Sequence, residues 1–305
     1  MPGPWDAIVI GAGPAGLTAA LYLARFRRTT LALHDGTSRA SQIPLSHNVP
    51  GWTSGVSGSD LLAKISAQAG AYGAAFSRVH VTAIRREEDT FAVEAETEEL
   101  WRCRSLILAT GAETNQLPLD PEEHERALQN RVLAYCPICD GFEHIAQNIA
   151  VVGCDQHGAQ EALFMRHYSS RITLFPKSFS ELNQQVTEQL SKAGVTVVNA
   201  PVESYVVRQR DILIRLAHGE EPRAFDVVYP ALGIRPRSRL ASMLGLPLTN
   251  DGSLEDSAPF RTAIPGLYAA GDIVAGLDQI SVAMGQGAAA ATRAHNWLRK
   301  AGCAA

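Results

Sequence analysis

Residues Gly11-Ala12-Gly13-Pro14-Ala15-Gly16 constrain this chain more than any other stretch. They follow a short apolar run of strand type, Trp5 to Ile10, and precede Leu17 to Arg25, a leucine and small-residue segment of good helix propensity. Strand, tight glycine turn and helix make a dinucleotide cradle. The first glycine allows the turn, the second lets backbone approach a pyrophosphate, the third lets the helix pack on the strand, and the helix N-terminus faces the phosphates. Pro14 suits the first helical turn, where a backbone N–H has no partner. The spacing alone is weak evidence; its context separates it from an ordinary glycine-rich turn. A second strand, Thr30 to Leu33, is followed by Asp35, roughly twenty residues past the glycines, where a ribose-binding carboxylate belongs.

The same plan recurs. Asn148 to Val152, Gly153 to Gly158 and Ala159 to His167 again read as strand, glycine turn and helix, roughly 140 residues later, which points to duplication of one nucleotide-binding plan. Between the two units lie a Ser-, Pro- and Gly-rich loop over 41–58, a helix near 60–72 with Ser57 or Ser59 as its cap, an antiparallel pair at 79–84 and 91–96, and a strand from Trp101 to Ala109. The polar, proline-punctuated residues after Glu113 place a domain boundary near 113–118. Gly285 and Gly287 fall early in a C-terminal helix, where they cost stability, so either a ligand or another helix approaches the backbone there.

Cys136-Pro137-Ile138-Cys139-Asp140-Gly141 carries the chemistry. Two thiols separated by two residues can close into a disulfide, reopen, and pass an electron pair to another disulfide. Five cysteines in 305 residues are too sparse and too uneven for a secreted disulfide framework. A structural zinc site wants four ligands, and no second close pair exists, so the redox reading is preferred to a metal. Cys103, Cys154 and Cys303 read as single thiols. Hydrophobic residues at 46%, charged residues at 19% and a net charge of −4 describe an ordinary globular surface with no call for nucleic acid or an anionic membrane. The apolar run at Ala7 to Ile10 is too short for a signal segment or a membrane span, so a soluble cytoplasmic protein is expected.

Taken in order, Gly11 to Gly16, Asn48-Val-Pro-Gly51, Ala109-Thr-Gly-Ala112, Cys136 to Gly141, Ala269-Ala-Gly-Asp272 and the stretch at Gln279 resemble the low-molecular-weight thioredoxin reductase family over nearly the whole chain. The resemblance implies an α/β fold of two Rossmann-like domains, the second inserted in the first: residues 1–115 and 232–305 forming a FAD domain, and 116–231 an inserted pyridine-nucleotide-type domain carrying the CxxC. It also implies a homodimer. By position, Gly11, Gly13, Pro14, Ala15 and Gly16 would hold the FAD pyrophosphate and Asp35 the adenosine ribose. Asn48, Val81, Thr110, Gly111 and Gly271 would line the flavin site, Asp272 the ribityl region, and Gln279 with Ile280 the pyrimidine edge, where a helix N-terminus would stabilise a reduced ring. Asp140 matches the acid beside the dithiol; its plain alternative is a turn residue before Gly141. Tyr135 and Phe142 read as packing.

The second nucleotide unit departs from that pattern. Asp155 stands where a glycine would face a pyrophosphate; at about 4 Å the repulsion is ~1 kcal/mol in water and ~4 kcal/mol near a protein surface. Where the family carries an arginine fork for the 2′-phosphate of NADPH, this chain has Pro176-Lys177-Ser178-Phe179. NADPH binding is therefore expected to be weak or absent, and electrons to reach FAD from a reduced ferredoxin or a second flavin before passing to Cys136–Cys139 and a thioredoxin-like disulfide. Three alternatives stay open: an NADPH-dependent reductase drawing charge from Lys177, Arg166 and Arg171, a non-enzymatic flavoprotein whose dithiol senses redox state, and a flavin oxidase using O₂.

Overall fold

The computed structural model describes residues 4–153, 155–177, 182–255 and 262–303. Cys154, Ser178 and Phe179 lie outside the described residues, as do the side chains of Asp155 and Cys303.

The chain opens with β1 (Trp5–Ile10), α1 (Pro14–Arg25) and β2 (Thr30–His34), a parallel pair with its crossover helix. Then come α2 (Gly58–Ala71), β3 (Ala75–Arg78), the antiparallel hairpin β4 (Val81–Glu87) and β5 (Thr90–Ala95), and β6 (Leu100–Leu108). Ser57 caps α2 by accepting the Asp60 N–H. The middle of the chain holds β7 (Ala112–Thr114), α3 (Pro121–Gln129), α4 (Pro137–Asp140), β8 (Asn148–Gly153), α5 (Asp155–Met165), β9 (Arg171–Pro176), α6 (Gln184–Lys192) and β10 (Thr196–Val197). β11 (Val202–Val207), β12 (Ile212–Leu216) and β13 (Arg223–Phe225) follow, then β14 (Val227–Ala231), β15 (Ile234–Pro236), α7 (Arg239–Met243), β16 (Leu267–Ala269) and α8 (Ile280–Cys303).

The first sheet has the order β3-β2-β1-β6-β5-β4. β16 runs parallel to the C-terminal half of β6, pairing Leu267 with Leu106 and Ala269 with Leu108. That sheet thus draws on both ends of the chain. A second, parallel sheet of order β10-β9-β8-β14 and an antiparallel β11-β12-β13 sheet lie within residues 148–231, and β7 pairs with β15 where the chain leaves and returns. The α/β architecture with two Rossmann-like parallel units is the fold the repeated motif implied.

Parallel strands covered on both faces are apolar throughout. In β1, Ala7, Ile8 and Val9 are fully buried, as are Ile149, Ala150 and Val151 in β8. α1 is clasped by α8 because Gly287 lets them touch: a Cβ there would lie 2.1 Å from the Ala15 carbonyl oxygen. Close helix packing is therefore what Gly287 serves, whereas a Cβ at Gly285 would meet nothing within 4 Å. Beyond the expected boundary near 113–118 the chain forms α3, a helix that the charged, proline-punctuated composition there does not suggest. Its start signal was nevertheless in the sequence: Asp120 caps it by accepting the Glu123 N–H, and Pro121 occupies the first turn. Among the described residues no helix is long and apolar enough to cross a membrane.

Candidate active site

β1 delivers the chain to Gly11, whose φ of 111° lies in the left-handed region that favours glycine. A Cβ at Gly11 would sit 2.1 Å from the Ala109 carbonyl oxygen, so the turn is pressed directly onto the end of β6. α1 then begins at Pro14 with no side-chain cap, leaving its first N–H groups to whatever ligand the turn admits. Gly16 packs helix on turn, since its Cβ would strike the Gly11 oxygen at 1.9 Å.

Above this turn lies a cavity of about 1120 Å³. Gly11, Gly13, Pro14, Ala15, Asp35, Asn48, Val81, Thr110, Gly111, Gly271, Asp272, Gln279 and Ile280 line it, and so do Cys136, Cys139 and Asp140. Gly16 is the one named position that does not reach it. Residues from both ends of the chain and from its middle therefore share one chamber. Its size, its uncapped helix start and its close-packed glycine turn fit a dinucleotide such as FAD.

Asp35 Oδ1 accepts hydrogen bonds from the Thr37 N–H (2.8 Å) and hydroxyl (2.7 Å), and Oδ2 faces Arg237 Nη1 at 3.5 Å. Burial alone would push this carboxyl up; the Thr37 hydrogen bonds and Arg237 outweigh it and hold it below its ordinary value, so it stays ionised. Asp272 meets Arg39 Nη2 at 3.1 Å, and Arg39 also reaches Asp278 at 3.6 Å. Burial keeps Asp272 above its ordinary value against the pull of Arg39. Arg39 and Arg237 both line the cavity. Arg39 is a single charge in its stretch of sequence, whereas Arg237 is the middle of the alternating arginines Arg235, Arg237 and Arg239, a basic signal that could have found it; both supply the forked donors that suit phosphate. The Thr110 hydroxyl donates to the Arg237 carbonyl at 2.8 Å, so it has no proton left for a ligand.

Cys136 and Cys139 are joined as a disulfide across the first turn of α4. Cys136 caps that turn: its Sγ accepts the Cys139 N–H at 3.2 Å. Gln279, immediately before α8, places Nε2 3.3 Å from Cys136 Sγ and 3.6 Å from Cys139 Sγ. Asn48 Nδ2 donates to Gln279 Oε1 at 3.0 Å and reaches the Ile138 carbonyl at 3.4 Å. The disulfide is thus held against the cavity by the two residues assigned to the flavin side.

Asp140 is mostly withdrawn from solvent, and burial raises its carboxyl to about 6 even though Tyr229 donates a 2.6 Å hydrogen bond to Oδ1. A carboxyl titrating near neutrality next to a redox disulfide can give or take a proton at ordinary pH. Tyr135 is half-buried, packs beside the second sheet, and shares a 2.8 Å hydrogen bond with His124. Phe142 is not packing: it is 72% exposed. Gly141, whose Cβ would lie 2.5 Å from the Tyr168 ring, fixes the following 3₁₀ turn, and Phe142 leaves from its outer side. Cys103 is fully buried with its thiol pushed up to about 12 by that burial, which makes it inert.

A nucleotide cradle whose cavity also receives a CxxC disulfide defines the class of flavin-type disulfide oxidoreductases. The chain matches the pyridine nucleotide-disulphide oxidoreductase family over residues 5–287 and belongs to it, among the thioredoxin reductases. It is 29% identical to the thioredoxin reductase of Listeria monocytogenes, over 97% of this chain and 94% of that protein. It is 30% identical to that of Mycolicibacterium smegmatis, over 96% of each. The solved structure of HlmI is 29% identical and superposes with a TM-score of 0.90, covering 100% of this chain and 95% of that one.

Proposed function

We propose that this protein is a FAD-dependent disulfide oxidoreductase that passes electrons through Cys136–Cys139 to a thioredoxin-like disulfide and takes them from a donor other than NADPH. The observation that carries the reading is the shared chamber: Gln279 touches both sulfurs and Asn48 while the glycine cradle opens into the same space. Gly11 and Gly13 with the start of α1 would hold the pyrophosphate, Asp35 the ribose, and Asp272 with Gln279 the far end. FAD bound there would supply a two-electron store.

The chain's own residues do the rest. An electron pair delivered to the disulfide breaks the S–S bond and leaves two sulfurs that take up two protons. A thiolate of the reduced pair then attacks one sulfur of the acceptor disulfide and expels the other. The remaining thiol attacks the mixed disulfide, releasing the acceptor as a dithiol and restoring Cys136–Cys139. Asp140, charged and neutral in comparable amounts near pH 6, holds a proton for these exchanges.

A donor other than NADPH is supported by what the second cradle lacks. Asp155 opens α5 at the position a pyrophosphate needs clear. Gly153 and Gly158 serve packing, since a Cβ on either would press within 3 Å of the other's Cα. Arg166 and Arg171, which could have supplied charge, hydrogen-bond the Ser169 and Ala146 carbonyls instead. Reduced ferredoxin or a second flavin fits this reading, in a cytoplasmic homodimer. The test is anaerobic mixing of the yellow protein in parallel with NADPH, NADH, reduced ferredoxin and dithionite. Ferredoxin and dithionite should bleach the flavin band while micromolar NADPH leaves it intact for minutes. Bleaching by micromolar NADPH within seconds would assign the chain to the NADPH-dependent reductases.

A further inference from the structure

Tyr229 is the side chain in this region that the chemistry so far leaves unused. It sits in β14 between apolar neighbours, opposite Val151 of β8, and is 1% exposed. A phenol hydroxyl so deeply buried needs a hydrogen-bond partner, and it finds Asp140 Oδ1 at 2.6 Å, 89 residues away in sequence. His144 packs edge-on against its ring, with centroids 5.9 Å apart and planes at 87°. The hydroxyl is therefore aimed by a rigid strand and a fixed ring.

The surroundings make that aim consequential. Glu143, on the turn after α4, faces both Asp140 and Tyr229, and Glu161 of α5 faces Tyr229. Each of these glutamates has a buried Oε2 with no hydrogen-bond partner. Arg131, following α3, is the cation facing Asp140, and burial first pushes the His144 imidazole below its ordinary value. Burial and Glu143 thus oppose ionisation of Asp140, and the oriented O–H and Arg131 favour it; burial lifts the Glu161 carboxyl itself to about 7.

We propose that Tyr229 is a positioning residue for thiol–disulfide exchange: its hydroxyl holds Asp140 Oδ1, leaving Oδ2 to exchange a proton with the Cys136–Cys139 pair. When the disulfide opens, one sulfur leaves as thiolate and Asp140 gives it a proton. When a reduced thiol attacks an acceptor disulfide, the carboxylate takes that proton back. The inference rests on the reading of Cys136–Cys139 as the redox pair, and it adds a residue that the plain strand pattern around 227–231 does not single out.

The sign of the expected effect is fixed. The hydrogen bond favours the carboxylate, while burial and Glu143 oppose it. Removing the hydroxyl should therefore raise the pH at which Asp140 ionises. The test is the rate of iodoacetamide alkylation of the dithiothreitol-reduced holoprotein between pH 5 and pH 9, followed by mass spectrometry. In the wild type, log rate against pH should carry an offset from Asp140 below the thiol titration itself, and Asp140→Asn should abolish it. Tyr229→Phe should retain the offset and move it up by about one pH unit, the worth of a hydrogen bond to a charged group. The double variant should match Asp140→Asn.

A uniformly lower rate with the offset unmoved would mean that Tyr229 only packs, and would overturn the proposal; a wild-type profile with no Asp140-dependent offset would do the same. Should Tyr229→Phe fail to fold, 3-fluorotyrosine at 229 keeps the shape and strengthens the donor, so the offset should move down. Alkylation needs no acceptor protein and no electron donor. Failure of thioredoxin turnover would therefore count against the proposed function and leave this result standing.

Discussion

Cys136→Ser should lose turnover of an acceptor disulfide by at least about 10³-fold while the purified protein keeps its yellow colour, and Cys139→Ser should behave alike. A hydroxyl cannot close a disulfide, so either variant breaks the two-electron relay at the same point. The cavity is otherwise untouched: the sulfurs contact Gln279 and the first turn of α4, and neither belongs to the glycine cradle. The two variants should differ in one respect. Only the one that keeps the attacking thiol should accumulate a mixed disulfide with the acceptor, because its resolving thiol is gone. Turnover with thioredoxin or DTNB, with the flavin reduced photochemically, measures this. Retention of activity within tenfold of wild type would remove the pair from the electron route and favour a plain flavin oxidase.

The second large effect falls on the cofactor. Gly11→Ala should yield protein with less than about a tenth of the wild-type flavin content, through strain and collision together. A φ of 111° costs an L side chain of order 1–3 kcal/mol, and the new methyl must also displace the Ala109 carbonyl, from which it would stand 2.1 Å. That carbonyl belongs to the strand end that forms the cradle's floor, so the turn cannot yield without moving the cavity wall. The 450 nm to 280 nm absorbance ratio after purification measures the loss, and a thermal melt with and without added FAD separates lost binding from lost fold. Full flavin content in Gly11→Ala would show that the cradle binds something else.

Much of this arrangement could be read from residues alone, for a definable reason. Glycine turns, a CxxC and the carboxylate after the second strand are local patterns whose geometry is set by a few neighbouring dihedrals. What depends on long-range register could not. Tyr229 looks like one more apolar strand residue until β14 is laid against β8 and its hydroxyl meets Asp140. Arg237 reaches Asp35 across 202 residues of sequence separation, and Arg39 meets Asp272 and Asp278 only when both ends of the chain enter one sheet. Phe142 illustrates the opposite error: an aromatic beside a motif invites a packing role, yet the turn geometry at Gly141 carries it outward. α3 was legible in Asp120-Pro121 and was obscured by the charge around it.

The flavin's electron pair should be shared with Cys136–Cys139. An anaerobic dithionite titration of the holoprotein, with free thiols counted at each step, tests it most directly. Each chain should take up two electron pairs, one bleaching the flavin and one appearing as alkylatable thiols at Cys136 and Cys139, falling to a single pair in Cys136→Ser. Uptake of one pair in both proteins, with the disulfide still closed when the flavin is fully reduced, would contradict it.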